Sequence, residues 1–255
     1  MTWDQSRPNS ARVHSALLGG KDYCPLDDVI AEQLARNKIA PAIAESRRFA
    51  RRAVSHLLNH HQITQFAELG CGFPHAPNVH DIAEDHTRSA RTLYIGNDQL
   101  AANHARTAEV DLTDTAAVVE AIATTFDMST PIALILSGTA ELIDDGPSMI
   151  AALTHALPAR TWLVLTHITA DVIGHDITSA ALVLRGAGIA YHPRTHDDVA
   201  SILTGYDVHT PALVVPHRWR PESIGSDRYG HATEPLHPEA WDLSAYAAIG
   251  QWRPR

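Results

Sequence analysis

Glu68, Gly70, Cys71 and Gly72 stand in the order Glu-Leu-Gly-Cys-Gly directly after a short apolar run, QFAEL. Glycines carry no Cβ, so they permit positive φ and let a backbone come close to a ligand, while Glu68 sets a carboxylate beside the turn. That pairing suits a nucleoside bearing a cationic amino-acid group better than a pyrophosphate, which a carboxylate would repel. The third glycine of a dinucleotide fingerprint is also missing, with Ala76 and Pro77 following instead. Taken alone, the same pattern serves a purely structural turn equally well. His167 ends a second apolar run, TWLVLTH, where a histidine is either a base or a hydrogen-bonded structural residue. The 17 histidines are otherwise scattered, without an HExxH or a His/Cys cluster, and the two cysteines, Cys24 and Cys71, lie far apart. The sequence therefore predicts neither a dedicated metal site nor a disulfide scaffold. The run RRFARR (Arg47, Arg48, Arg51 and Arg52) reads as the solvated face of a helix rather than a phosphate clamp.

The elements that must position these residues follow from periodicity. Residues 11–18 give a short helical pattern that ends at Gly19 and Gly20, and apolar positions from Val29 to Leu58 recur at helical spacing, predicting two or three helices before any strand. QFAEL (65–69) and TLYIG (92–96) then read as strands flanking a helix near His80 to His86. IALILSG (132–138) and TWLVLTH (161–167) repeat that arrangement around PSMIAALTHAL (147–157), a helix opened by proline. Alternating strands and helices predict an α/β fold with a parallel sheet covered on both faces. Near the end, ALVVPHRW (212–219) and AYAAIGQW (245–252) are expected to form an antiparallel pair across a long connection. The expected division is an N-terminal helical cover, 1–60, and a Rossmann-like domain, 61–255.

Bulk properties narrow the partners. At 255 residues and 45% hydrophobic content the chain can bury its own core. Twenty Lys and Arg against 29 Asp and Glu give a formal net charge of -9, which argues against a general nucleic-acid binder. No apolar run reaches a membrane span and the opening MTWDQSRPNS has no signal-peptide core, so a cytoplasmic protein is expected.

The segments ARVHSALLGGKDYCPLDD, FAELGCGFPHAPNVHDIA, YIGNDQLAANHAR, VDLTD, LTHITAD and a WRP segment, taken in this order, resemble the actinobacterial S-adenosylmethionine-dependent methyltransferase family, once catalogued only as a domain of unknown function. The resemblance covers nearly the whole chain. It implies the Rossmann-like class I methyltransferase sheet, mostly parallel with an antiparallel last strand, preceded by a helical cover. It also implies S-adenosylmethionine as cofactor: Glu68, Gly70, Cys71 and Gly72 at its amino-acid end, Asn97 and Asp98 at the ribose, and Asp111 with Leu112 at the adenine. Lys21, with Asp22, resembles the segment that closes over the site.

Four positions depart from the family pattern. Gly96 stands where the family usually has an Asp, leaving Asp98 to hold the ribose diol. The stretch between Asp98 and Asp111 is short. His14 and Ser15 replace a Tyr and an Asp, and Glu141 replaces a His, which changes the proton chemistry available near the reaction centre. The first reading is a methyltransferase acting on a small molecule in specialised metabolism, with His167 or His14 as base. A second reading redirects the fold to cyclisation, elimination or isomerisation through Glu141 with a histidine. A third is a binder without turnover. Each also has a bland counterpart: His14 as a surface residue, and Glu141 as one of an acidic run with Asp144 and Asp145 ahead of a helix. A homodimer is compatible with the terminal helices and the Trp-bearing tail.

Overall fold

The computed structural model describes residues 4–97, 106–220 and 243–253. Three helices come first: α1 (Ser10–Leu17), α2 (Pro25–Ala35) and α3 (Ile39–His61). Asn9 caps α1 by accepting from the Arg12 amide at 3.1 Å, and Gly19, at φ 73°, turns the chain after the helix ends. Pro25 opens α2, and Asp27 in its first turn is buried against the Arg12 Nε at 2.6 Å. The same carboxylate accepts from the Cys24 and Asn9 amides, so one buried acid ties α1 to α2. α3 stops where Gln62 takes a left-handed conformation and the Ile63 amide returns to the Leu57 carbonyl.

The sheet follows: β1 (Gln65–Leu69), α4 (Val79–His86), β2 (Arg91–Gly96), β3 (Arg106–Glu109), α5 (Thr115–Thr125), β4 (Ala133–Ser137), α6 (Gly146–Ala156), β5 (Trp162–Ile168), α7 (Gly174–Gly186), α8 (His196–Ile202), β6 (Tyr206–Val208) and β7 (Ala245–Trp252). The seven strands lie in the order β3-β2-β1-β4-β5-β7-β6, with only the β5–β7 and β6–β7 pairs antiparallel. The α/β class, the mostly parallel sheet and its antiparallel close are thus as the sequence predicts.

Alternate residues of each inner strand serve opposite faces. Leu69, Leu93, Ile95, Leu134, Leu136, Leu163 and Leu165 pack under α5, α6 and α8. Phe66, Tyr94, Ile135 and Val164 pack under α3 and α4. A third cluster joins Val13, Leu34 and Ile39 of the N-terminal helices to Ile168 of β5 and to Ile177 and Leu184 of α7. The helical cover and the sheet are therefore joined by shared hydrophobic clusters.

The predicted pairing of 212–219 with β7 is corrected. That stretch makes a single antiparallel bridge, Val214 to Ala247, and then a 3-10 turn at Pro216–Arg218. Pro211 and Pro216 lack the N–H groups that a ladder requires, and the short β6 takes the place beside β7 instead.

Candidate active site

In this order the chain leaves β1 toward β2 on one side and enters β4 on the other, so the loops after β1 and β4 diverge and open a crevice at the carboxyl end of the sheet. A cavity of about 710 Å³ fills that crevice. Its floor is the Gly70–Gly72 loop, and α1 and α3 form part of its wall through Ser10, His14, Ile43 and Arg47.

The glycines answer to both packing and access. Gly70 and Gly72 have φ of 67° and 64°, the left-handed region that disfavours a side chain. A Cβ on Gly70 would collide with the Thr139 side chain, whose hydroxyl donates to the Leu69 carbonyl at 2.7 Å and fastens the β4 loop to the β1 loop. A Cβ on Gly72 would sit 3.2 Å from Arg47 Nη2. That nitrogen donates to the Cys71 carbonyl at 3.1 Å and the Phe73 carbonyl at 3.5 Å. Arg51 donates to the His75 carbonyl at 2.7 Å, and Arg52 is buried, paired with Glu45 at 2.8 Å and donating to the Pro216 and Trp219 carbonyls. The arginine run is thus no solvated face: Arg47 and Arg51 hold the glycine loop, and Arg52 anchors α3 to the 216–219 turn. A signal existed in the sequence, since Ile43, Arg47, Ala50 and Val54 fall on one stripe of α3.

Most of the other predicted cofactor residues converge on this cavity. Glu68 lines it, and burial pushes its carboxyl up to about 7 against the pull of Arg47 and Arg51. Gly96 and Asn97 line it at the end of β2, and Asp111 and Leu112 line it just past β3. The Asp111 carboxylate accepts from the Thr113 amide and hydroxyl at 2.9 and 2.8 Å, which hold it in place and lower its pKa. Asp98 lies outside the described residues. Lys21 is exposed and is not among the lining residues.

The candidates for proton chemistry separate. His14 lines the cavity, and burial with the nearby Arg47 pulls its pKa down to about 4. Glu141 also lines it and is 1% exposed, so it does not belong to a surface acidic run. One of its oxygens accepts from the Ile168 amide at 3.3 Å, and the other, Oε2, has no partner. Burial pushes it up to about 7. His167 is buried elsewhere: its Nδ1 meets the Ile168 carbonyl at 2.8 Å and its Nε2 meets Arg194 Nη1 at 2.7 Å. A donating Nδ1–H leaves Nε2 as acceptor, so the ring is neutral and both nitrogens are engaged. Arg194 also donates to the Ala140, Ile143 and Asp144 carbonyls, bracing the loop that carries Glu141. Ser137 was not anticipated: its hydroxyl is buried without a partner at the end of β4, on the cavity wall.

The lining is markedly acidic. Glu68, Asp111, Glu141, Asp144 and Asp145 face a cavity in which Arg47 is the one Lys or Arg among the described residues. Such a field favours a ligand with net positive charge, and Arg47 beside Glu68 offers a carboxylate and an ammonium of one ligand a partner each. S-adenosylmethionine, with a sulfonium, an ammonium and a carboxylate, fits that donor set. The family model for S-adenosyl methyltransferases matches residues 1–252.

The chain belongs to the S-adenosyl methyltransferase family. A DUF574 family protein from Streptomyces avermitilis MA-4680 has a crystal structure similar to that of this chain, with a TM-score of 0.85 at 26% identity, over 98% of this chain and 99% of that one. Another, from Thermobifida fusca YX and solved as a candidate methyltransferase, gives a TM-score of 0.86 at 24% identity over 98% and 97%. The plantazolicin methyltransferase BpumL, solved with a triazolic desmethylPZN analog and SAH, shares the fold at a TM-score of 0.53 and 11% identity over 95% and 96%. No curated protein sequence matches the chain. The class I fold and S-adenosylmethionine as cofactor are therefore as the resemblance implied.

Proposed function

We propose that this methyltransferase alkylates an oxygen, nitrogen or carbon atom of a small molecule, in the specialised metabolism that its family resemblance suggests. The observation that carries the reading is the acid-lined cavity with one guanidinium, Arg47, set beside Glu68 over the glycine loop. Its volume of about 710 Å³ lies in the range that encloses small ligands. When bound, S-adenosylmethionine supplies an electrophilic sulfonium methyl.

The residues of the chain then have separable roles. Arg47 takes the cofactor carboxylate and Glu68 the ammonium, which keeps Glu68 ionised once the cation is in place. Leu112 gives the adenine an apolar face, while Asp111 accepts from its exocyclic amine. Asn97, with a donor and an acceptor, faces the ribose from the end of β2, where the family's Asp is Gly96. Glu141 accepts the proton of the acceptor group through Oε2, because it is the buried, unpartnered carboxylate on the cavity wall. Ser137 orients that group, and His14 closes the cavity from α1 as a neutral ring. His167 acts at one remove, by holding Arg194 and hence the Glu141 loop. Much of the acceleration comes from orientation, since in-line transfer requires mainly that donor and acceptor be held together.

The unpaired Glu141 oxygen also suits a redirected acid/base reaction that transfers no methyl. Incubating the protein with methyl-labelled S-adenosylmethionine and a small-molecule extract separates the two. Label passing into a low-mass product, and falling at least tenfold with Glu141→Gln, supports methyl transfer. Consumption of an extract component without label transfer supports the redirected reaction and overturns this one.

A further inference from the structure

A second cluster lies outside the cavity. His56 and His61 near the end of α3 and His209, just after β6, each place a ring nitrogen within 4.8 Å of the others. The ring centroids are 5.3, 6.1 and 4.9 Å apart for the pairs 56–61, 56–209 and 61–209. None of the three lines the methyltransferase cavity. His56 is 8% exposed, and its Nε2 is buried with no hydrogen-bond partner. Ring packing explains part of the arrangement, since Trp162 contacts His61 and His209 with centroids at 4.4 and 4.8 Å, and Trp219 lies 5.6 Å from His56. Packing does not explain the orphaned nitrogen, because a buried acceptor or donor with no partner is costly and uncommon.

We propose that His56, His61 and His209 bind a divalent transition metal of the zinc class, which clips the end of α3 to the β6–β7 edge of the sheet. Three imidazoles form a borderline donor set suited to Zn²⁺, Co²⁺, Ni²⁺ or Cu²⁺ and poor for Ca²⁺ or Mg²⁺. Zinc–nitrogen bonds of about 2.0–2.1 Å place tetrahedral donors about 3.3 Å apart. The present spacing closes to that value by rotation of His61 and His209, which both reach the surface, onto the fixed His56. The backbone is already set for it. The His209 amide donates to the Ile249 carbonyl of β7 at 2.9 Å, and its own carbonyl accepts from the Ala212 amide at 2.7 Å. His61 is the last residue of α3, where the negative end of the helix dipole favours a cation. Water completes the coordination, with His60, whose ring lies 4.6 Å from that of His56, as the nearest additional imidazole. The two residues on α3 are five apart and the third lies on the far side of the sheet sequence, so no linear spacing announces the site.

The test uses the full-length, tag-free protein stripped with chelator and titrated with Co²⁺, then with Zn²⁺ in competition. The proposal predicts one equivalent bound at micromolar affinity or tighter, the intense visible bands of a tetrahedral His-ligated Co²⁺, quenching of tryptophan emission, and a higher unfolding midpoint with Zn²⁺. His209→Ala and His61→Ala alter partly exposed side chains and spare the buried His56. Each is expected to weaken binding at least tenfold while leaving the metal-free unfolding midpoint near that of the wild type. His175→Ala, at an exposed position on α7, leaves binding unchanged. Absence of saturable binding, or binding that survives His209→Ala and His61→Ala, overturns the site.

Discussion

In the proposed reaction a single side chain, Glu141, is assigned the proton transfer. It is buried beneath the cavity with one oxygen bonded to the Ile168 amide and the other free, and burial raises its pKa from the ordinary 4.5 to about 7. A carboxyl whose pKa is raised on folding binds more protons in the native than in the unfolded chain between those two values. Its contribution to stability is therefore fully present below about 4.5 and is lost as the pH rises to about 7. Glu141→Gln should remove that loss, so denaturant unfolding from pH 4.5 to pH 8 should show the variant gaining on the wild type as the pH rises; a constant difference would contradict a buried, raised carboxyl. The half-buried His14 and the buried His167 have pKa values pulled down to about 4, and they work in the opposite sense, adding stability as the pH rises from about 4 to 6.5. Comparing variant with wild type isolates Glu141 from them. Arg47 shows why residues of this kind escape a reading of the sequence. A cation within RRFARR reads as solvated, and only the fold reveals that the Gly72 loop passes against its guanidinium. That Glu68, Gly70 and Gly72 sit at a strand-to-loop junction was legible from the apolar run before them, whereas Asp111 and Leu112 were suggested by the family resemblance alone; all five line the cavity.

Among the elements, the loop after β1 and the loop after β4 act together, because the Thr139 hydroxyl binds the Leu69 carbonyl and its methyl fills the space left by the absent Gly70 side chain. Gly70→Ala imposes an unfavourable φ of 67° and a collision with Thr139, which should destabilise the protein by about 2 to 4 kcal/mol and reduce cofactor affinity at the same time. Chemical denaturation together with calorimetric titration checks both effects; a variant as stable as the wild type would mean that the turn relaxes freely. The α1–α2 junction is similarly fastened by the buried Arg12–Asp27 pair. Asp27→Ala removes the carboxylate that faces Arg12 Nε and accepts from the Cys24 and Asn9 amides, and should cost about 2 to 4 kcal/mol in the same denaturation assay. β1, β2, β4, β5 and β7 were legible as apolar runs because they are inner strands buried on two faces. β3 (RTAE) and β6 (YDV) were not, since edge strands carry polar side chains and gain their pairing from a neighbour that the sequence does not name. The 212–219 stretch is the converse case, an apolar run that Pro216, with Pro211 just ahead of it, confines to one bridge.

At the scale of the whole molecule, the net charge of -9 has a local counterpart in the acid-lined cavity, so the bulk acidity that argues against nucleic acid agrees with a preference for a cationic ligand. The order of secondary elements showed the class of fold, and the resemblance supplied the cofactor. The convergence of His56, His61 and His209 was invisible at every scale below the assembled fold. On the proposed reading the cavity binds S-adenosylmethionine through Arg47 beside Glu68. Calorimetric titration of wild type and Arg47→Met with S-adenosylmethionine and with its demethylated product tests it most directly. Binding is expected to be micromolar for the wild type and about 10- to 100-fold weaker for Arg47→Met, the worth of one charge-assisted contact. Unchanged affinity in Arg47→Met, or no binding to folded wild-type protein, would contradict it.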